Sequence, residues 1–322
     1  MFKIKKWNRR LGSYMNGNTE VSIYADGTKV RKTKDDEFRP AFAENMDVKI
    51  CNRCDMGCPM CFENSTKDGD IADIMNAKWV DTLHPYQELS LGGGNVLEHP
   101  DLVPFLEKLK SKKIIVNFTV NQIHFERERV FIDKLIKDKL VYGIGISLNN
   151  PTDSFIEQVK EYPNAVIHVI NGMVSKEEMY KLYNKGLKIL ILGYKMLGRG
   201  HDYYMEHTVD VIRNQRWLKG HLPEVMEKFE VVSFDNLAIK QLGVKALLPK
   251  PIWDTFYMGD DGTITYYIDM VNNKFSETST TPYSKRHDVL DSVDDMFSVI
   301  KGEKMNKCKY YNSHLDTVKE YK

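Results

Sequence analysis

Long apolar runs, a secretion signal and an excess of either charge are all missing from this chain of 322 residues. No apolar stretch approaches the ~20 residues that a transmembrane helix requires. The basic start, MFKIKKWNRR, lacks the apolar core and the cleavage site of a signal peptide, so we expect a cytoplasmic protein. The 46 basic and 45 acidic side chains nearly cancel, which argues against duplex nucleic acid or a membrane as a partner.

Cysteine is scarce, and the distribution of the five cysteines is a poor match to a disulfide framework. Cys51, Cys54, Cys58 and Cys61 fall within eleven residues, whereas Cys308 stands alone. An odd number, grouped this tightly, is typical of a metal or cluster site in a reducing compartment. The composition excludes intrinsic disorder, and a chain of this length needs neither a disulfide nor a structural metal to fold.

Short β-rich runs alternate with amphipathic stretches between about residues 46 and 200. Six strands are predicted, at residues 46–50, 88–92, 114–120, 142–148, 165–170 and 188–194. Helices are predicted at residues 72–84, 101–111, 126–138, 153–162 and 175–185. Such alternation produces βαβ units, a parallel sheet and right-handed crossovers. We therefore predict the α/β class, with a partial (β/α)6-type TIM-like barrel.

The segments that flank this region predict additions to the barrel. Residues 1–45 form an N-terminal extension with a β-hairpin that turns at Asp26-Gly27, ahead of a core barrel at residues 46–224. Residues 225–322 form a C-terminal α+β cap. Within the cap we predict a strand at 230–234, a hairpin over 255–270 that turns at Asp260–Gly262, and a final helix.

The spacing of the four clustered cysteines, C-x2-C-x3-C-x2-C, leaves three arrangements open. Structural zinc uses two C-x2-C pairs about 15–20 residues apart, whereas only three residues separate these two pairs. A ferredoxin-type cluster with four cysteine ligands has a different order of spacings. The third arrangement omits Cys51 as a spare thiol and uses Cys54, Cys58 and Cys61. Three thiolates would leave one iron of a [4Fe–4S] cluster open to a small chelating molecule.

The C-x3-C-x2-C spacing of the third arrangement follows the first strand directly and resembles the signature of the radical S-adenosylmethionine (radical SAM) superfamily. The second strand ends in Gly92, Gly93, Gly94 and Asn95. In the superfamily this edge reads Gly-Gly-Glu-Pro and holds the amino group of the methionine moiety. Gly94 and Asn95 depart from that pattern, but glycines suit a close approach of backbone to ligand.

The resemblance implies further contacts with S-adenosylmethionine at later strand ends. In the superfamily the third strand ends in Thr-Asn-Gly, the fourth ends in Ser-Leu-Asp near the ribose, and the sixth ends where adenine packs. The ends of the corresponding strands in this sequence are similar. The residues implied are Asn121, Ser147, Asn149, Gly193 and Tyr194, together with the backbone of Met60 in the cysteine segment. All the strand-end residues belong to the face at which α/β barrels build active sites. Asn121 and Ser147, taken alone, are also compatible with a turn or a helix cap.

The resemblance implies a radical enzyme that cleaves S-adenosylmethionine reductively at a [4Fe–4S] cluster. The products are methionine and a 5′-deoxyadenosyl radical, which abstracts hydrogen from a substrate carbon. The cofactor carries this chemistry, while the protein orients it and excludes water. An external electron donor such as a flavodoxin is implied.

The sequence does not identify the substrate. A peptide or protein is our first expectation, with a nucleotide or small metabolite as the alternative, and a non-catalytic iron–sulfur or zinc protein as a different class. Cys308 is a candidate catalytic hydrogen donor because basic neighbours favour its thiolate, although the sequence favours an ordinary surface thiol. Candidate substrate contacts are Arg199, His201, Asp235, Asn236 and Gln241.

Overall fold

A computed structural model describes residues 9–35 and 37–302. The first three strands form a small antiparallel sheet and are β1 (Arg10–Asn16), β2 (Thr19–Tyr24) and β3 (Lys29–Thr33). The β2–β3 pair confirms the predicted N-terminal hairpin. Its turn docks against the main sheet, because the Asn164 amide donates to the Ala25 carbonyl at 2.7 Å. The buried Glu44 carboxylate binds Arg31 of β3, which anchors the hairpin from the other side.

The second sheet contains ten strands and includes all six predicted ones. They are β4 (Asn45–Cys51), β5 (Glu88–Gly93), β6 (Ile115–Asn121), β7 (Gly143–Ser147), β8 (Ala165–Ile170), β9 (Lys188–Leu192), β10 (Val231–Phe234), β11 (Thr265–Asp269), β12 (Lys274–Ser276) and β13 (His287–Asp288). The spatial order is β10-β9-β8-β7-β6-β5-β4-β11-β12-β13. Strands β4 to β10 are parallel and each lies beside its predecessor, unlike a doubly wound sheet, whose order reverses. The α/β class is therefore confirmed, and across residues 9–35 and 37–302 the sheet is open, with no pairing that closes it into a barrel.

Helices follow most of the parallel strands. They are α1 (Leu102–Ser111), α2 (Gln122–Arg127), α3 (Arg129–Lys137), α4 (Asp153–Lys160), α5 (Lys176–Leu182), α6 (Arg199–Glu206), α7 (Thr208–Glu227), α8 (Asn236–Leu242) and α9 (Lys250–Phe256), with a further helix at residues 293–302. Helix α5 begins with a complete capping box between Ser175 and Glu178. In the part of the chain that the structure covers, no helix has the length and apolar character needed to cross a bilayer.

The helix predicted at residues 72–84 is wrong. Only Lys78–Thr82 is helical there, as a short 3-10 turn. The segment before it runs beside the end of β4 instead, where Ile71 bridges Cys51 and the Ala72 amide donates to the Ile50 carbonyl at 3.0 Å. This pairing takes up the backbone groups that the first turn of a helix would have used.

The hairpin predicted over residues 255–270 is also wrong. Its first half belongs to α9 and to the loop that follows, so it offers β11 no partner. Strand β11 pairs in parallel with β4 and antiparallel with β12. The Asp260–Gly262 turn signal thus leads into an inner strand of the sheet, where Tyr266 and Ile268 are buried.

The two faces of the parallel strands differ in chemistry. One face is apolar and forms the core against the helices, with residues such as Val48, Leu91, Phe118, Ile146 and Ile167. The residues between them alternate to the opposite face, as they must in a strand. That face carries small and polar side chains, among them Asp47, Ser90, Thr119, Gly145 and His168, and it borders a cavity.

Candidate functional site

The inner face of the sheet encloses one large cavity of about 1190 Å³. Its lower end lies at the starts of the strands and is bordered by the β2–β3 turn at Tyr24–Thr28. Its upper end lies at the carboxyl ends of the strands, where Cys54, Cys58 and Cys61 border it together. The three cysteines predicted as metal ligands therefore face one enclosed space, at the edge of the sheet where barrel enzymes build active sites.

Arg199 fixes the loop that carries these cysteines, residues 52–65, which we call the cysteine loop. Its Nε donates to the Cys58 carbonyl at 3.0 Å and its Nη2 donates to the Ser65 carbonyl at 3.0 Å. Its backbone amide donates to the Asn64 side chain at 2.7 Å and to the Cys61 carbonyl at 3.1 Å. One arginine at the start of α6 thus holds four residues of the loop. Arg199, predicted as a substrate contact, instead acts on the loop backbone and does not border the cavity.

The thiols of the cysteine loop suit a bound cation. Burial raises the pKa of Cys54 and of Cys58, and the neighbouring cysteines raise both further. Thiolates in such surroundings are stabilised by a metal, which deprotonates its cysteine ligands on binding. The donor set is sulfur only, as thiolate-ligated zinc and iron–sulfur clusters require.

A second group of potential metal ligands lies beside Cys54, but its polar atoms already bind one another and Arg127. The Asp55 carboxylate and the His124 ring come within 4.8 Å of the Cys54 sulfur. Asp55 binds Arg127 at 2.7 Å and His124 Nε2 at 2.6 Å, and these bonds lower its pKa to about 2. The group is therefore an ion-pair network that holds the start of the cysteine loop against α2.

Cys51 is separated from the other three cysteines. It is 1% exposed at the end of β4, its sulfur lies 3.3 Å from the Asn95 carbonyl, and it does not border the cavity. Burial raises its pKa to about 11. Its position agrees with a spare thiol behind the cysteine loop.

We expect iodoacetamide to modify Cys51 far more slowly than Cys54, Cys58 and Cys61 in the metal-free protein. At pH 8 a thiol with a pKa near 11 is almost wholly protonated, the thiolate is the reactive form, and Cys51 is 1% exposed, so we expect its labelling to be at least roughly tenfold slower. Peptide mass spectrometry over a time course measures each site. Labelling of Cys51 at the rate of its neighbours would contradict this burial.

The glycine edge, residues 92–94 at the end of β5, is held by backbone hydrogen bonds at the start of the cysteine loop. The Gly94 amide donates to the Cys51 carbonyl at 2.8 Å, and the Asn95 amide donates to the Arg53 carbonyl at 2.7 Å. Gly92, Gly93 and Gly94 border the cavity. Asn95 does not, because it is fully buried and its side chain accepts from the Leu97 amide as a helix cap.

The candidate cofactor contacts Asn121, Ser147, Asn149 and Met60 also border the upper end of the cavity. Asn121 and Asn149 exchange two side-chain hydrogen bonds of 3.0 Å. The Asn121 amide lies 3.8 Å from the Cys58 sulfur. These strand ends and the cysteine loop are therefore parts of one site.

Gly193 and Tyr194 do not border the cavity. Tyr194 is buried, and its hydroxyl donates to the Gly200 carbonyl at 2.7 Å. Its backbone is bound at both ends by the Gln241 side chain, and the Gly193 amide donates to Asp235 at 2.9 Å. Gln241 therefore supports the end of β9.

Of the predicted substrate contacts, Asp235 and Asn236 border the cavity, His201 is exposed outside it, and Cys308 lies beyond the described residues.

A charged group on the cavity wall escaped the sequence analysis. Lys195 donates to Ser279 at 2.9 Å and lies 3.7 Å above the Phe62 ring. Burial lowers its pKa, while Asp235 and Asp47 act in the opposite direction. The one visible signal was Asp47, a charged residue inside a predicted buried strand. The other partners are distant in sequence and meet only in the folded chain.

Comparisons with known proteins find no matching family model and no curated relative. Solved structures of Streptococcus suis SuiB match in fold. The S-adenosylmethionine-bound structure gives a TM-score of 0.53 at 12% identity, over 77% of this chain and 64% of that one. The structure with precursor peptide SuiA gives 0.50 at 14% identity, over 74% and 60%, and a third SuiB structure gives 0.51 at 10%, over 86% and 84%. The chain thus spans less than two thirds of SuiB in the first two matches, and it shares the SuiB fold.

Proposed function

We propose that the protein is a radical SAM enzyme with a single [4Fe–4S] cluster bound by Cys54, Cys58 and Cys61. One observation carries the proposal, namely that these three thiols face one cavity at the carboxyl ends of the parallel strands while Cys51 is buried behind them. The fold shared with SuiB, solved with S-adenosylmethionine, supports it. A partial (β/α)6 barrel, with its N-terminal extension and C-terminal cap, belongs to the same proposal.

The bound cluster would supply one electron to cleave a C–S bond of S-adenosylmethionine, which yields methionine and a 5′-deoxyadenosyl radical. The chain's own residues bind and orient the cofactor. Arg199 holds the cysteine loop through the Cys58 and Ser65 carbonyls, which fixes the backbone that carries the three cysteines. The bare backbone of Gly92 leaves room for the methionine moiety, since nothing lies within 4 Å of the site where a Cβ would be. The paired amides of Asn121 and Asn149, with Ser147, line the space for the ribose.

The proposed substrate is a peptide or protein, with a nucleotide or small metabolite as the alternative. The SuiB structure with a bound precursor peptide supports the first choice. A cytoplasmic setting and a reductant such as flavodoxin complete the proposal, because the cluster needs an electron from outside. Cys308 stays a candidate hydrogen donor.

The test is formation of 5′-deoxyadenosine from S-adenosylmethionine by protein purified without oxygen, reconstituted with iron and sulfide, and reduced with dithionite. We expect product from the wild type and from Cys51→Ala, and at least a 100-fold loss in the Cys54→Ala, Cys58→Ala, Cys61→Ala triple variant. Iron and sulfide are counted in each sample. A well-formed cluster without product, or a need for all four cysteines, would favour an electron carrier or a structural metal protein instead.

A further inference from the structure

Two glycines in β7 leave bare backbone on the cavity wall, and polar side chains from both neighbouring strands occupy the space. A Cβ on Gly145 would stand less than 3.0 Å from the His168 ring and 2.9 Å from the Thr119 hydroxyl. A Cβ on Gly143 would stand 2.7 Å from the Asn117 carboxamide oxygen. Neither glycine has a positive φ, so backbone conformation does not explain them. The glycines instead make room for these three side chains.

The three side chains border the cavity without partners. Within residues 9–35 and 37–302, the side chains of Asn117, Thr119 and His168 make no hydrogen bond. All three side chains are partly accessible from the cavity, so their donors and acceptors are open to a molecule that enters it, as in ligand pockets where a few polar groups fix the orientation of the ligand.

The surroundings of His168 are uncharged. Burial alone lowers its pKa to about 4, and no charged group contributes to that shift. The imidazole is therefore neutral near pH 7, with one nitrogen that donates and one that accepts. Thr119 and Asn117 likewise offer both donors and acceptors. The carboxylates near Lys195 act on that lysine and not on His168.

The three side chains lie below the level assigned to S-adenosylmethionine. His168 is two residues before the end of β8, and Thr119 is two residues before the end of β6. At about 3.3 Å per residue, His168 and Thr119 lie roughly 6.6 Å deeper than the strand ends at the rim, and Asn117, four residues before the end of β6, lies roughly 13 Å deeper.

We propose that Asn117, Thr119 and His168, over the bare backbone of Gly143 and Gly145, form a substrate subsite for an uncharged group rich in hydroxyls or amides. We call these five residues the lower chamber. Its role as a substrate subsite rests on the proposed function, whereas its preference for uncharged ligands does not. A neutral imidazole, a hydroxyl and a carboxamide match such a group, and no counter-ion lies beside His168 for a charged one.

Three sugars that differ in charge test the chamber. N-acetylglucosamine is uncharged with hydroxyls and an amide, glucosamine is its cationic counterpart, and N-acetylglucosamine 6-phosphate is anionic. Saturation-transfer NMR on the cluster-loaded protein reports contact with each. We expect a signal from N-acetylglucosamine at least fivefold stronger than from either charged sugar. Gly145→Ala should abolish it, because the methyl group displaces the His168 ring, whereas Gly220→Ala in α7, with nothing within 4 Å, should retain it.

His168→Phe is a second variant, which keeps an aromatic ring but removes both nitrogens. It tests the lower chamber if Gly145→Ala does not fold. Equal signals from the charged sugars, no signal from N-acetylglucosamine, or a signal that survives His168→Phe would overturn the inference. A wild-type protein that forms 5′-deoxyadenosine but gives no sugar signal refutes the chamber alone. A sugar signal without 5′-deoxyadenosine refutes the proposed enzyme and leaves a binding site.

Discussion

Replacement of Gly93 by alanine is expected to lower the free energy of unfolding by about 2–4 kcal/mol. Gly93 has φ of +115°, a conformation that an L side chain rarely adopts. A Cβ there would stand less than 3.0 Å from the Cys51 carbonyl, which belongs to the backbone of β4 and cannot turn away. Relief of this clash would move β5 away from β4 at the base of the cysteine loop. Urea unfolding followed by circular dichroism measures the change.

Gly92→Ala is the matched control in the same motif. Its φ lies outside the left-handed region, and nothing lies within 4 Å of the added methyl. The free energy of unfolding should stay within about 0.5 kcal/mol of the wild type. The methyl would project into the cavity, so 5′-deoxyadenosine formation should still fall. If Gly93→Ala unfolds at the same urea concentration as Gly92→Ala, the close packing of the glycine edge on β4 is wrong.

Replacement of Arg199 by alanine is expected to weaken iron binding at least tenfold without unfolding the protein. The variant loses two hydrogen bonds from a charged group to the cysteine loop, each worth about 1.5–3 kcal/mol, and about 1.4 kcal/mol corresponds to tenfold in affinity. The backbone amide of residue 199 still binds the loop at Asn64 and Cys61, so part of its order persists. Iron per chain after reconstitution at limiting iron is the measurement.

Two further variants make the Arg199 result specific. Arg199→Lys keeps the charge but cannot reach the carbonyls of Cys58 and Ser65 together, so we expect an iron content near that of alanine. Arg213→Ala removes an exposed arginine of α7 that pairs with Asp210, and it should bind iron like the wild type. Full iron content in Arg199→Ala would mean that the loop holds its shape without the side chain.

Local sequence patterns were sufficient for the parallel strands β4 to β10 and for the position of the clustered cysteines after β4. Each parallel strand is a short β-rich run that local propensity already marks, and successive strands pair, so their order follows the chain. The cysteines lie next to one another in sequence, which carries them to the same end of β4. Asn121 and Ser147 are the last residues of β6 and β7, and their place at the carboxyl edge follows from strand direction alone.

Features that depend on distant contacts could not be predicted. Pairing of β11 with β4 joins Thr265–Asp269 to Asn45–Lys49, and no local signal marks such a partner. Tyr194 lies two residues beyond the end of β9, and its ring turns into the core, where its hydroxyl donates to the Gly200 carbonyl. The space for His168 exists only because of Gly145 on the adjacent strand. The deciding neighbours of β4 and of His168 are remote in sequence, whereas Gly200 is six residues from Tyr194 but acts only through the fold of the turn between them.

The pairing of β11 with β4 also has a consequence for the order of folding. Strand β4 leaves the ribosome more than 200 residues before its second partner, and until then one edge of the strand that leads into the cysteine loop has no neighbour. Contacts this distant in sequence form late, and an open inner edge invites pairing with other chains. The nascent protein therefore needs protection until residue 276 has emerged, and truncation before residue 265 should yield aggregates instead of a smaller folded core.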